Sequence, residues 1–377
     1  MIQSQRHLFN IPDNVAYLNT AYMSPLLNSV VSAIDEGARL KSQPWRLTIP
    51  DFYDQVDQAR SLFARIVNVN SKNIAIVPSA SYGIQTAANN LKIGKRKKIV
   101  LLANQFPSNV YPWKRLALRN DCSIKFVEGK AGESLTNSIL KEMDENCALV
   151  AVPNATWTSG NIIDLIALRK RSNEIKSYLV LDLTQSAGAM SIDFQKVKPD
   201  FAVIANYKWM LGPYTTGFLY AASEHCFGEP LEEGWIIRKG SKDFSNLVNY
   251  TDHYDQGAIR YDMGQRSNFS LMPGVIKALE QILEWDIGKI ENTLLLQNRT
   301  LSKRLEEIGL SITPESERAP HFLGAKLPKD RPENLLSLLA DKNIFLSERA
   351  GFLRITPHLW NNEEDFDRLV NELSKIL

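Results

Sequence analysis

The sequence predicts an α/β protein in which a mainly parallel central sheet is flanked by helices and followed by a smaller α/β C-terminal domain. Three observations carry that prediction. From Asn73 onward, short apolar runs alternate with stretches of helical length. Those runs are apolar throughout instead of alternating with polar residues, which is the pattern of strands buried on both faces. A chain of 377 residues also has room for two domains of roughly 150 residues, or for one large domain with a satellite.

Taken in order, the opening segment is extended at Ala16-Tyr17-Leu18-Asn19 and turns near Ser24-Pro25. Val30, Val31, Ile34 and Leu40 then fall near one helical face, and Val56, Ala59, Leu62, Phe63 and Ile66 repeat at helical spacing. Both stretches read as packing helices. Strand-like runs follow at Ile74 to Val77, Ile99 to Ala103, Ile124 to Val127, Ala148 to Val152, Tyr178 to Leu183, Phe201 to Ala205 and Gly217 to Tyr220. Most are separated by room for a helix, as parallel pairing requires. Helical periodicity returns over Leu271 to Leu283 and Ile287 to Ile308, the second helix bridging the two domains. His321 to Leu327, Glu333 to Ala340, Ile344 to Ser347, Phe352 to Ile355 and an amphipathic helix from Glu363 make up the small lobe. The expected division is 14–285 for the large domain and 286–377, together with 1–13, for the small one.

Composition narrows the class of protein. Hydrophobic residues at 44% and charged residues at 23% are ordinary globular values. Lys and Arg number 44 against 42 for Asp and Glu, a net +2, so bulk charge supports neither a nucleic-acid nor a membrane partner. The cluster from Lys92 to Lys98 reads as a solvated loop. Cys122, Cys147 and Cys226 lack metal or redox spacing, and an odd number of cysteines argues for a reducing compartment. The first residues lack the apolar core of a signal peptide, and no apolar run approaches about 18 residues. A cytoplasmic location is the expectation.

In parallel sheets ligands collect at the carboxyl ends of the strands, so those ends were compared. After Val77, Pro78-Ser79-Ala80-Ser81 leads into a helix, whose start offers backbone N–H groups to an anion. After Ala103 comes Gln105-Phe106-Pro107, and after Val152 comes Pro153-Asn154-Ala155-Thr156-Trp157-Thr158-Ser159-Gly160. Asp182 ends one buried run, with Gln185 close behind, and needs a cation or donor to meet it. Tyr207-Lys208-Trp209 follows another, and an amine at such a position is a candidate for Schiff-base chemistry. A cap, a surface lysine or a salt bridge would explain any one of these singly. Together, a phosphate-type helix start, an aromatic, an aspartate and a lysine are the parts that pyridoxal phosphate requires.

From about Tyr17 to the C-terminus the chain resembles the class V aminotransferases, a branch of the fold-type I pyridoxal-phosphate enzymes. The similarity lies in Val180-Leu181-Asp182-Leu183-Thr184-Gln185-Ser186-Ala187-Gly188, in the segment from Asp200 to Tyr220 around Lys208, in Gln105 to Trp113, and in Leu353-Arg354-Ile355-Thr356-Pro357-His358. The resemblance implies pyridoxal 5'-phosphate held as an aldimine on Lys208, which then serves as the proton-moving base. It implies Asp182 on the pyridinium nitrogen, Gln185 on the phenolic oxygen and Phe106 on the ring face. Ser79, Ala80 and Ser81 would hold the phosphate, with Tyr207 a further candidate donor, and Asn154 lies where the family has a ring-side residue. Arg354 would take an amino acid's α-carboxylate, a task that suits a planar guanidinium. The block from Arg260 to Asn268 is similar to the one that reaches a neighbour's phosphate across a dimer interface, which implies a homodimer. Where the family often has threonine this chain has Gln265, so Gln265 and Asn268 are both candidates.

Two departures bear on the reaction. Cysteine desulfurases usually carry histidines at the positions held here by Phe106 and Tyr207, and a nucleophilic cysteine in the C-terminal region, whereas no cysteine follows Cys226. Without a thiolate, persulfide chemistry is not expected. The Phe-Pro and Tyr-Lys pairs are more similar to kynureninases and epimerase-like members. The expected activity is therefore an aminotransferase acting on an amino acid or amine, with a kynureninase-like hydrolase or lyase, or an epimerase, as the alternative. A non-catalytic binding protein on the same fold is the third reading, and four convergent polar groups speak against it.

Overall fold

A computed structural model of the chain describes residues 1–130 and 132–377. After β1 (Ala16–Tyr17), the large domain runs through α1 (Asn28–Lys41), α2 (Asp54–Ile66), β2 (Ile74–Val77), α3 (Ala80–Asn90), β3 (Lys98–Leu102), α4 (Tyr111–Asn120) and β4 (Ser123–Val127). It continues with α5 (Leu135–Glu142), β5 (Cys147–Pro153), α6 (Leu165–Ile175), β6 (Tyr178–Asp182), α7 (Phe194–Val197), β7 (Phe201–Ala205) and β8 (Gly217–Ala221). Seven of these strands form one sheet in the order β2-β8-β7-β6-β5-β3-β4. Pairing is parallel from β7 through β4, and β8 runs antiparallel to both its neighbours. Six strands thus point one way and end at one edge. Helices cover both faces, as the uninterrupted apolar strands demand: every residue of β2, β7 and β8 is buried.

The short link between Ala205 and Gly217 explains the reversed strand. Eleven residues cannot make a helical crossover, so β8 turns back beside β7. That link carries Lys208, and it lies at the edge where the other strands end.

Helix α8 (Met272–Trp285) packs in the main core, and the small lobe follows as α9 (Ile287–Glu307), β9 (Ser311–Ile312), β10 (Leu323–Lys326), α10 (Leu335–Ala340), β11 (Ile344–Phe345), β12 (Ser347–Arg349), β13 (Phe352–Ile355) and α11 (Glu363–Ile376). Its antiparallel sheet has the order β12-β13-β10-β9. Helix α9 bridges the two parts as its length suggests: Ile290 and Leu294 pack into the main core, Leu301 and Leu305 into the small one.

Three expectations need correction. The N-terminal boundary runs the other way: Phe9 packs in the main core, whereas Ala16 and Leu18 belong to the small core because β1 pairs with β11. The run Ile344 to Ser347 is split, its first half serving β1 and Ser347 opening β12. Val31 is exposed, and α1 buries Val30, Ala33 and Gly37 instead. Helix α8 packs on α1 so closely that a Cβ at Gly37 would stand 2.3 Å from the Phe269 carbonyl oxygen, which places the small-residue stripe inward. Among the described residues no helix is long and apolar enough to cross a membrane.

Candidate active site

At the carboxyl edge of the large sheet lies a cavity of about 250 Å³ lined by Ser79, Ala80, Ser81, Phe106, Asp182, Gln185, Tyr207 and Lys208. Eight residues that the sequence scatters over 130 positions thus meet in one place. A larger cavity of about 1300 Å³ opens beside it. The charges that line this second space, among them Glu128, Lys130, Asp164 and Lys326, are at the surface, so the convergent buried chemistry belongs to the smaller one.

Lys208 is 7% exposed, and its Nζ lies 5.6 Å from the Phe106 ring centre and 5.5 Å from that of Tyr207. Among the described residues Nζ has no hydrogen bond and no ion pair. Burial brings its pKa down to about 8, against the pull of Asp182 and with the help of Arg354 and Arg349. Asp182 is also 7% exposed. Its Oδ1 accepts the Thr184 N–H at 3.1 Å, and no cation pairs with it among the described residues. Burial raises its pKa despite the Thr184 contacts and the charge on Lys208.

The start of α3 is built for an anion. Ser79 is extended, and its Oγ caps the helix by accepting the Tyr82 N–H at 3.2 Å. The N–H groups of Ala80 and Ser81 find no acceptor among the described residues, and both residues line the cavity. Ser81 Oγ donates to Ser108 Oγ at 2.7 Å.

Gln185 is held at both ends. Its Nε2 donates to Ala21 O at 3.0 Å and its Oε1 accepts from Trp209 Nε1 at 3.0 Å, so the amide can face only one way. One N–H of Nε2 remains to donate. Beneath it the His321 imidazole donates from Nε2 to the Gln185 carbonyl at 2.6 Å.

Arg354, 2% exposed, lies on β13 outside the residues that line this cavity and reaches it through Trp157, which does line it. Nε and Nη2 donate to Ser347 Oγ at 3.0 and 2.7 Å, and Nη1 donates to Trp157 O at 3.0 Å. Ser347 in turn donates to Asn19 Oδ1 at 2.7 Å. No carboxylate pairs with this guanidinium among the described residues, and burial lowers its pKa to about 10. Trp157 links it to the rest of the site: its ring lies 5.9 Å from the Arg354 guanidinium carbon and meets Phe106 edge to face at 5.4 Å.

Besides Arg354, three candidates do not line this cavity. Asn154 turns its Nδ2 to Ile163 O at 3.1 Å and lines the larger cavity, because its neighbour Pro153 faces the same way as Asp182 and successive strand residues alternate. Gln265 is exposed, in a left-handed conformation with φ 55°. Asn268 accepts the Leu271 N–H at 3.0 Å. His358 is structural, stacked on Trp360 at 4.9 Å with an interplanar angle of 17°. Missed from the sequence were Trp157, Thr184, Tyr214, Ser347 and His321. Only Trp157 had a signal, as a lone aromatic among hydroxylated residues at a strand end.

The donor set fits the expected cofactor. A buried carboxylate, a buried amine and a buried guanidinium, each without a counter-ion among the described residues, cost several kcal/mol apiece unless a ligand meets them. Pyridoxal phosphate with an amino acid would offer a cationic ring nitrogen, an aldehyde and a carboxylate.

Comparison with known proteins agrees. The family model Aminotransferase class-V matches residues 17–353. An uncharacterized aminotransferase of Bacillus subtilis is 22% identical over 99% of this chain and 97% of its own length. A kynureninase of Geobacillus thermodenitrificans is 23% identical, covering 99% and 90%. A probable cysteine desulfurase of Pyrococcus abyssi is 24% identical, covering 85% and 83%. Among solved structures, a cysteine desulfurase from Thermococcus onnurineus superposes with a TM-score of 0.86 at 21% identity, covering 100% of this chain and 98% of that one. A mutant C-DES with glycine covalently linked to its pyridoxal-phosphate cofactor gives 0.88 at 18%, covering 99% and 100%.

Proposed function

The chain belongs to the class V aminotransferases, a family of pyridoxal-phosphate enzymes, and from that premise we propose that it acts on an amino acid or amine bound between Lys208 and Arg354, as an aminotransferase. The observation that carries this reading is that Lys208 and Asp182 line one cavity while Arg354 bonds to Trp157 in its wall and lies close enough to act on Lys208, three buried charges with no counter-ion among the described residues.

When bound, the cofactor supplies an electron sink for the charge left as a bond to the substrate's α-carbon breaks. The rest is the work of this chain's residues. Ser79, Ala80 and Ser81 receive the phosphate at the start of α3, where N–H groups and the helix dipole favour negative charge. Asp182 would hold the ring nitrogen and keep it protonated. Gln185 would donate its remaining N–H to the phenolic oxygen, and Phe106 would pack on the ring. Lys208, whose amine points into the cavity, would bind the cofactor's aldehyde and would move a proton at the substrate's α-carbon. With a pKa of about 8, about a tenth of it is the neutral base at pH 7, against roughly 0.03% for an ordinary lysine. Arg354, oriented by Ser347 and Trp157, takes the α-carboxylate.

The purified protein is expected to show a visible absorption band with pyridoxal phosphate, shifted by amino donors and lost in Lys208→Ala. A colourless protein that ignores the cofactor would sink the reading. The kynureninase of Geobacillus thermodenitrificans, matched over nearly all of this chain, supports bond cleavage as a second reading. Mass analysis separates the two: transamination yields stoichiometric keto acid and pyridoxamine phosphate, while cleavage or epimerisation turns substrate over without them. Persulfide chemistry gains no support, since none of Cys122, Cys147 and Cys226 lines the cavity and burial pushes the Cys226 thiol up to about 11. The reading includes a homodimer in which Gln265 or Asn268 reaches the neighbour's phosphate. It also includes a cytoplasmic location, in keeping with three unpaired thiols.

A further inference from the structure

The small lobe's sheet shows two rows of residues to the large domain. Ser347, Arg354 and Gly324 stand opposite one another across β12, β13 and β10, and Arg349, Phe352 and Lys326 form the next row. Partners across an antiparallel pair point to one face, and so do residues two apart along a strand. Arg349 and Arg354 are therefore diagonal neighbours on a single face. That face is the one toward the active site. A Cβ at Gly324 would stand 2.3 Å from Ser159 O, and Arg354 reaches Trp157 O. The other face, with Leu323, Ala325, Leu353 and Ile355, fills the small core.

Arg349 is half-buried, and among the described residues its one side-chain hydrogen bond goes to its neighbour's carbonyl, Glu348 O, at 2.6 Å. It has no carboxylate partner among the described residues; the Glu348 carboxylate is taken by Arg331. Its charge is felt at both Lys208 and Arg354, where it opposes protonation. Two guanidinium groups side by side on one face, neither neutralised, repel each other. A second positive group beside a site that already holds one for the α-carboxylate is explained by a second negative group on the ligand.

We propose that the substrate is an amino acid carrying a second acidic group, its α-carboxylate on Arg354 and its side-chain acid on Arg349. The assignment rests on the Lys208 and Arg354 reading above and specifies its substrate. Diagonal positions in an antiparallel pair are about 7–8 Å apart, a spacing from which two arginine side chains can converge on a four- or five-carbon dicarboxylic amino acid. Lys326 lies in the same row but is exposed, at the rim of the larger cavity.

The test compares L-aspartate and L-glutamate with their neutral isosteres L-asparagine and L-glutamine on the cofactor-loaded enzyme, by initial rates and by titration of the visible band. The expected result is a kcat/KM at least tenfold higher for the acids, carried by KM. In Arg349→Gln the acid-to-amide ratio falls to near one, and Arg349→Lys restores part of it; thermal melting confirms that both variants fold. A wild-type ratio near one, or a ratio that Arg349→Gln leaves in place, overturns the assignment while the amino-acid reading stands. If no donor perturbs the band of a protein that does bind the cofactor, the amino-acid reading falls and this one with it.

Discussion

Lys208 shows how one residue's chemistry follows from where the chain turns. Its place in the eleven-residue link between β7 and β8 puts a long flexible amine against Phe106 and Tyr207, and burial there disfavours the ammonium. The reactive species is the neutral amine, so the direction of the pH effect is set: reactivity rises with pH through the folded pKa and then levels off. In the cofactor-free protein, labelling of Lys208 with acetic anhydride, read by peptide mass, is expected to be half-maximal near pH 8 instead of near the ordinary 10.5. A midpoint near the ordinary value would mean that the amine is solvated. Ser347 supplies a second test at this scale. Its hydroxyl accepts two of the three hydrogen bonds that orient Arg354. Ser347→Ala is expected to raise KM for amino-acid donors roughly tenfold, about 1.4 kcal/mol, with a smaller change in kcat.

At the level of elements, the block from Arg260 to Asn268 owes its shape to a buried cluster that sequence reasoning did not find. Asp262 accepts from Arg60 Nη1 and Nη2 at 3.1 and 2.8 Å and from the Ile76 N–H at 2.7 Å, and it pairs with Arg266. This ties α2, β2 and the block together and leaves Gln265 at the surface. Removing the carboxylate strands two buried guanidinium groups. Asp262→Ala is therefore expected to lose about 3–5 kcal/mol of stability in urea denaturation, and a loss below about 1 kcal/mol would show that water or relaxation compensates. The cap on α3 is weaker by design of its chemistry: Ser79→Ala is expected to cost about 1 kcal/mol and to weaken retention of pyridoxal phosphate, measured by dialysis.

Across the whole molecule, the large domain contributes Lys208 and Asp182, and the small lobe contributes Arg354 and Arg349. The site is completed only when α9 and the β1–β11 pairing hold the two together. In the proposed homodimer, Gln265 of a second copy would add a donor to the phosphate. Sedimentation is expected to show a species of twice 42.6 kDa, and Gln265→Ala to release the cofactor faster without changing that mass. A monomer that retains the cofactor normally would contradict the shared site.

Much of this was legible in the chain. Continuous apolar runs revealed most strands of the large sheet to within a residue or two, because burial on both faces leaves little other pattern, while β4 at its edge is largely exposed. Ser79, Phe106, Asp182, Gln185 and Lys208 stood out because each follows a strand, and parallel strands end at one edge. What only the tertiary structure decided is what depends on contacts between distant segments. The transfer of β1 to the small lobe, the turning away of Asn154, the support of Arg354 by Ser347 and Trp157, and the placing of Arg349 beside Arg354 all depend on strand pairing and register. Register is a property of two strands at once, and no local pattern in either strand records it.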